Sequence, residues 1–248
     1  MRGLLWWCVA LPLLPAALVL AKRARRNALR LPPAAGASSG MAGGHLAGRP
    51  LRVLLVGEST VVGVGVESLQ DALAAQLARS LSERLSRPVG WRVCGENGIR
   101  LAGVLERLLP RALAEPADLV LLVLGVNDTT GLSGRRHWQE GLRRLIGLCR
   151  SASGRVVLVG VPPMRHFSAL PWLLRQLLGW RAALLDGWGC QAASRHGALH
   201  VPARLTFEPH LLAGDGYHPS RDGYRLWAED LAEQCLASFP DLDGRATL

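Results

Sequence analysis

The stretch VLLVGESTVVGVG, Val53–Gly65, sets an uninterrupted apolar, β-branched run against a serine and then more glycines. Apolar residues at consecutive positions, rather than alternating ones, predict a strand buried on both faces, the pattern of a parallel sheet. The segment after the strand is either a phosphate cradle, a turn that presents a nucleophile, or a plain turn. A dinucleotide fingerprint fits poorly, because Gly63-Val64-Gly65-Val66-Glu67-Ser68 has serine where the third glycine belongs and starts six residues past Gly57. Lys22 is the only lysine in the chain, which removes a Walker loop and a pyridoxal Schiff base. A nucleophile at Ser59 fits better, since main-chain N–H groups at such a turn can hold an oxyanion. Alone, a serine after a strand is only a turn in most proteins.

Outward from this stretch, short apolar runs (LRVLLVG, GWRVCG, ADLVLLVLG, GRVVLVG and ALHVP) alternate with helical patterns near 67–87, 100–114, 135–152, 169–196 and 220–238. Helical crossovers between buried strands predict an α/β fold: a three-layer α/β/α sandwich around a central parallel sheet of about five strands. Functional loops in such sheets lie past the carboxyl ends of the strands, beside the switch in strand order. That filter selects Gly57-Glu58-Ser59-Thr60, Gly95-Glu96-Asn97-Gly98, Gly125-Val126-Asn127-Asp128 and, before the last helix, Asp215-Gly216-Tyr217-His218-Pro219.

A serine nucleophile needs a base, and the base needs a group that fixes its tautomer and stabilises the imidazolium. His218 with Asp215 three residues earlier supplies both from one loop. His200 and His210 are the weaker alternatives for the base. Asn127 can donate a side-chain amide to developing negative charge, or it can serve as an Asx-turn or helix cap. Gly98 can offer an N–H at close approach, and Asp128 reads as a structural residue of its loop.

Together these four blocks resemble the SGNH, or GDSL-type, hydrolase family: G-x-S at Gly57–Ser59, a glycine at Gly98, G-x-N-D at Gly125–Asp128 and D-x-x-H at Asp215–His218. Similarity runs over about residues 51 to 238. The resemblance implies a flavodoxin-like layered fold and a serine hydrolase of esterase or lipase type. It also implies Ser59 as nucleophile, His218 as base, Asp215 as its partner, and an oxyanion hole from Ser59, Gly98 and Asn127. Glu58 stands where the family's motif has Asp, and Thr60 where it has Leu; the expected effect of Glu58 is a small change in loop geometry. Gly95 shares a loop with Gly98, which makes the second block the loosest of the four. Nothing in the sequence calls for a metal or an organic cofactor.

Composition bounds the partners. The net charge is +10, yet residues 1–50 hold seven Lys and Arg with no acid, while from Leu51 onward 22 Arg face 19 acids. The basicity therefore belongs mainly to the amino-terminal segment and does not make the domain a nucleic-acid binder. Leu4–Ala21 carries no charge and as a helix reaches roughly 27 Å, close to a bilayer core. The sequence thus divides into a hydrophobic membrane anchor or signal sequence with a basic flank at 1–30, an Ala/Gly/Pro/Ser-rich flexible tether at 31–50, and a catalytic domain at 51–248. Five positive charges in KRARRNALR favour a cytoplasmic domain by the positive-inside rule, with an exported or periplasmic one as the alternative. Five scattered cysteines without C-x-x-C spacing argue against a disulfide framework and a zinc knuckle. Val159–Trp180, rich in Pro, Trp and long aliphatics, reads either as a lid or acyl pocket for a lipid-like ester or as a loop and helix burying one face. A membrane-tethered binding module without turnover is the competing functional class.

Overall fold

In a computed structural model, residues 2–205 and 207–243 are described. The chain builds helix α1 (Arg2–Asn27), strand β1 (Ser39–Ala42), β2 (Leu51–Gly57), α2 (Leu73–Leu85) and β3 (Val89–Gly95). A third helix, α3, runs Leu101–Gly103, Val104–Leu108 and Leu109–Ala112, the middle part wound as one π turn ahead of Pro110. Then come β4 (Leu119–Val123), a one-turn helix α4 (Val126–Thr130), α5 (Arg135–Ser153), β5 (Val156–Val159), α6 (Trp172–Arg195), β6 (Leu199–Val201) and α7 (Arg221–Ser238).

Six strands form one sheet in the order β1-β3-β2-β4-β5-β6, and all pairs but β1–β3 are parallel. Side chains leave a strand alternately to its two faces. Leu51, Val53 and Leu55 therefore join a core with α2 and α7, while Leu54 and Val56 join a second core with α3, α5 and α6. Each of the five parallel strands coincides with a run expected from the sequence, β3 starting one residue earlier, at Val89. The chain steps from β2 to β3 on one side and then returns to β4 on the other, so the loops after β2 and β4 flank the switch point.

At that point the two strand ends touch. A Cβ on Gly57 would overlap the Val123 carbonyl, and Glu58 N–H donates to that same oxygen at 3.0 Å. Only glycine permits this approach.

Residues 31–50 depart from the flexible tether expected of their composition. Ser39–Ala42 pairs antiparallel with β3, and Ala34 and Ala35 donate to the Val62 and Glu67 carbonyls at 2.9 and 2.8 Å. The cause is steric. Gly40 lies opposite Trp91, where a Cβ would sit 2.8 Å from the indole ring, so the small residues that look like a linker are what lets this strand cross the tryptophan.

Helix α1 is long and apolar enough to cross a membrane or to act as a signal sequence. Here one stripe of it, including Gly3, Trp6, Ala10 and Ala17, faces the domain, while Leu4, Leu5, Leu11, Leu18 and Val19 are exposed. Trp6 is buried and its indole N–H donates to the Leu177 carbonyl at 2.9 Å. Arg181, also buried, lies between the Trp6 and Trp188 rings, 5.3 and 5.2 Å from their centroids, a cation–π clamp that holds the helix down.

Gly57→Ala should destabilise the domain by about 1–3 kcal/mol or more, because the added methyl meets main chain that cannot move away. Chemical denaturation of the variant against the parent checks this, and an unchanged midpoint would mean that the two strand ends are free to separate.

Candidate active site

The loop after β2 turns at once. Val61 N–H donates to the Glu58 carbonyl at 2.9 Å and Val64 N–H to the Ser59 carbonyl at 3.1 Å, which leaves the Ser59 side chain at the top of the sheet. Across from it, residues 211–220 form a tight return: Ala213 N–H donates to the His218 carbonyl at 2.8 Å and Ser220 N–H to the Leu211 carbonyl at 2.9 Å. Ser220 then caps α7 by accepting from Gly223 N–H. The buried Tyr224, one turn into α7, donates its hydroxyl to the Val64 carbonyl at 2.7 Å. That bond ties the serine loop to the helix beyond the histidine.

The structure brings Ser59, His218 and Asp215 together. His218 Nε2 lies 2.9 Å from Ser59 Oγ, and His218 Nδ1 lies 2.6 Å from Asp215 Oδ2. The other Asp215 oxygen accepts from the N–H groups of Tyr217 at 2.9 Å and His218 at 3.1 Å. Burial pushes the Asp215 carboxyl up, but the His218 ring and these two N–H groups outweigh it and hold the acid below its ordinary value. An ionised Asp215 fixes the proton on Nδ1 and leaves Nε2 free to accept from the serine.

The other two blocks approach from β3 and β4. Asn127 is the second residue of the short helix α4, where Glu58 serves as the acceptor for the first donors: Oε1 takes Val126 N–H at 3.0 Å, and Oε2 takes Asn127 N–H at 3.1 Å and the Asn127 amide at 2.6 Å. The amide keeps a second hydrogen for another acceptor. Asp128 is buried and structural, as its loop suggested. It accepts from Leu101 N–H at 2.9 Å and from the Ser133 hydroxyl at 2.6 Å, and so joins the end of the Gly98 loop to that of Asn127. Gly98 is exposed in a left-handed conformation, φ +81°, and its N–H has no partner among the described residues. The same is true of the Ser59 N–H. Gly95 instead packs on Val61 and Val62.

Neither alternative histidine reaches the serine. His200 Nε2 pairs with Asp186 at 3.0 Å beyond β5, and His210 is exposed beside Glu208. Among the described residues no cluster of three or more His, Cys, Asp or Glu side chains is placed to hold a metal ion.

The profile of the GDSL-like lipase/acylhydrolase family matches residues 55–226. The chain belongs to that family. A family relative, the GDSL-like esterase Rv1075c of Mycobacterium tuberculosis, is 25% identical over 190 residues, covering 72% of this chain and 60% of that one. The chain thus spans about three fifths of that esterase's length. The fold is shared with solved structures of a lipase/acylhydrolase from Enterococcus faecalis (TM-score 0.60, 21% identity, 76% of this chain and 96% of that one) and of the psychrotrophic esterase EstA from Pseudoalteromonas (TM-score 0.61, 15% identity, 76% and 98%). This is the SGNH hydrolase fold that the sequence resemblance implied.

Two features of the site go beyond its motifs. Glu58 does more than adjust loop geometry, because its carboxylate caps α4. Its length is the available signal: one methylene more than the family's Asp. The second is the roof that α1 forms over the site. The cleft between α1 and the domain is lined by Ser59, Asn127 and His218 at one end and by Trp6, Ala10 and Leu177 at the other. Met164, Phe167 and Leu174, from the stretch that reads as either pocket or plain structure, line it too.

Burial raises the Glu58 carboxyl to about 7, against the opposing pull of the Val126 and Asn127 N–H groups, with Asp128 adding to the rise. A raised carboxyl makes the folded state bind more protons than the unfolded one between about pH 4.5 and 7, so its stabilising contribution is full at the low end and lost as pH rises. Across that window stability should fall by up to about 3 kcal/mol in the parent, and the slope should flatten in Glu58→Gln. Denaturation midpoints of both proteins at several pH values across this window test the expectation, and parallel slopes would remove Glu58 as the cause.

Proposed function

We propose that this protein is a serine hydrolase of carboxylic esters, with Ser59 as nucleophile, His218 as base, Asp215 as the partner of His218, and an oxyanion hole from the Ser59 and Gly98 N–H groups and the Asn127 amide. The observation that carries the proposal is the continuous hydrogen-bonded line from Asp215 through both nitrogens of His218 to Ser59 Oγ. Membership of a lipase/acylhydrolase family supports the reaction class. EstA, which shares the fold, is described as inhibited by monoethylphosphonate.

In the first half-reaction the Ser59 hydroxyl attacks the ester carbonyl while its proton moves to His218 Nε2. The carbonyl oxygen gains charge and receives the three donors, of which two are main-chain N–H groups without other partners among the described residues. Collapse breaks the ester C–O bond, and the leaving alcohol takes the proton from His218. In the second half-reaction water gives a proton to His218 and attacks the acyl-serine; collapse breaks the Ser59 Oγ–acyl bond, Ser59 takes the proton back from His218, and the carboxylic acid is released. Asp215 stays ionised throughout and stabilises the imidazolium.

Helix α1 is the membrane element of this proposal. Its outer face is apolar and exposed, so seating it in a bilayer surface would hold the domain against the membrane rather than at the end of a free tether. Were α1 to span the bilayer instead, the five cations of 22–30 would favour the cytoplasmic side for the domain.

Two variants test the reaction. With p-nitrophenyl esters as substrate, Ser59→Ala should lower kcat by about 10⁴-fold or more. Asn127→Ala should lower it by about 10² to 10³, with the fold intact by denaturation. Near-normal turnover in the first variant would refute the assigned nucleophile, and in the second it would remove Asn127 from the oxyanion hole.

A further inference from the structure

The space above Ser59 has a polarity that the hydrolase reading does not use. It is a cleft of about 1080 Å³ between α1 and the domain. From Trp6 to Arg26 the helix that roofs it rises about 30 Å. At the Trp6 end the walls are apolar, with Ala10, Leu14 and Ala17 from α1 facing Leu174, Leu177 and Leu178 of α6. At the other end the lining includes Lys22, Arg25, Arg26 and Arg30.

The direction of α1 places the basic end next to the chemistry. Gly3 packs on Trp188 of α6, far along the apolar end, whereas Leu29 packs beside Gly214, the residue before Asp215. Seven residues past the end of the helix, Ala34 donates to Val62 in the serine loop. Among the described residues none of the four cations forms an ion pair. The only carboxylate among the described residues that line the cleft is Glu58, and its oxygens are already occupied by Val126 and Asn127. Four unpaired cations, an apolar channel and Ser59 lining one cleft complement an amphiphile with one anionic end.

Resting on the hydrolase reading above, we propose that the substrate is a single-molecule amphiphilic ester with a long acyl chain and an anionic head, bound with its chain between α1 and α6 and its head at Lys22, Arg25, Arg26 and Arg30. The acyl carbonyl then lies at Ser59. Hydrolysis transfers the acyl group from the head-bearing alcohol to Ser59 and then to water, giving a long-chain carboxylate and an anionic alcohol. In this arrangement α1 is a wall of the binding site as well as a membrane element, and headgroup choice resides in the cations that face the cleft. Arg23, on the same helix end, does not line it.

The experiment uses the full-length chain in neutral detergent micelles and compares palmitoyl lysophosphatidylglycerol, anionic, with palmitoyl lysophosphatidylcholine, zwitterionic. p-Nitrophenyl acetate hydrolysis that depends on Ser59 is measured in parallel. The parent should favour the anionic head in kcat/KM by about tenfold or more, the worth of one to two charge-assisted contacts. Arg25→Gln/Arg26→Gln should bring that ratio close to one, while Arg23→Gln, which removes a charge from the same surface, should retain it. Ala10→Trp and Ala17→Trp, made separately to narrow the channel at two depths, should each lower the ratio of palmitoyl to butyryl p-nitrophenyl ester turnover. Equal kcat/KM for the two lysolipids with intact acetate turnover, or an anionic preference that survives in the double variant, overturns the proposal and leaves the hydrolase reading standing. Chain-length ratios that neither tryptophan variant moves overturn the placement of the acyl chain. Absence of Ser59-dependent turnover on every ester overturns both readings.

Discussion

The contact on which the site depends is the clasp between the ends of β2 and β4. Gly57 lets the β2 backbone lie directly on the Val123 carbonyl, Glu58 N–H bonds to that oxygen, and the Glu58 side chain reaches across to the first donors of α4. Ser59 is one residue beyond Glu58, and Asn127 is itself held by the Glu58 carboxylate. Their separation is thus set by main-chain geometry at the switch point, where the opposite crossovers leave a crevice. On the proposed reading, Ser59 as nucleophile and Asn127 as oxyanion donor need little reorganisation when charge develops, which is the condition under which such donors are most effective.

The remaining parts are braced against that clasp from two sides. Tyr224 reaches from α7 to the Val64 carbonyl, so the helix that carries the His218 loop cannot drift from the serine loop without breaking a buried hydrogen bond. Asp128 does the equivalent for the loop of Gly98 by accepting from Leu101 N–H. Three strand-end loops and one helix-leading loop are held by the side chains of Glu58, Asp128 and Tyr224. The charge pattern obeys the same logic: Asp215 is buried but ionised because its donors are provided, whereas buried Glu58, with Asp128 near, lies at the edge of neutrality.

Much of this is legible in the sequence because it is encoded locally. Short β-branched or leucine-rich apolar runs such as Val53–Val56 and Leu119–Val123, each followed closely by a glycine, read as two-face-buried strands, and D-x-x-H at Asp215–His218 places a carboxylate and an imidazole within one turn. The hidden parts depend on partners distant in sequence. Residues 39–42 lack hydrophobic pattern because an edge strand crossing Trp91 requires glycine, and that requirement is visible only once β3 is in place. Likewise the apolar stretch of α1 is hydrophobic on every face, so no periodicity distinguishes the stripe that meets α6 from the face left exposed. The one sequence signal for that contact is Arg181, a lone cation in an apolar part of α6, held between Trp6 and Trp188.

If the hydrogen-bonded line from Asp215 to Ser59 makes that one serine a nucleophile, a reagent that reports only on activated serines should find it without any assumption about the ester. Treating the full-length protein with a fluorophosphonate and locating the adduct by peptide mass spectrometry is that test. A single adduct on Ser59, absent from Ser59→Ala, is the expected outcome. A folded protein with no adduct, or with the adduct on another serine, would show that the line from Asp215 does not activate Ser59.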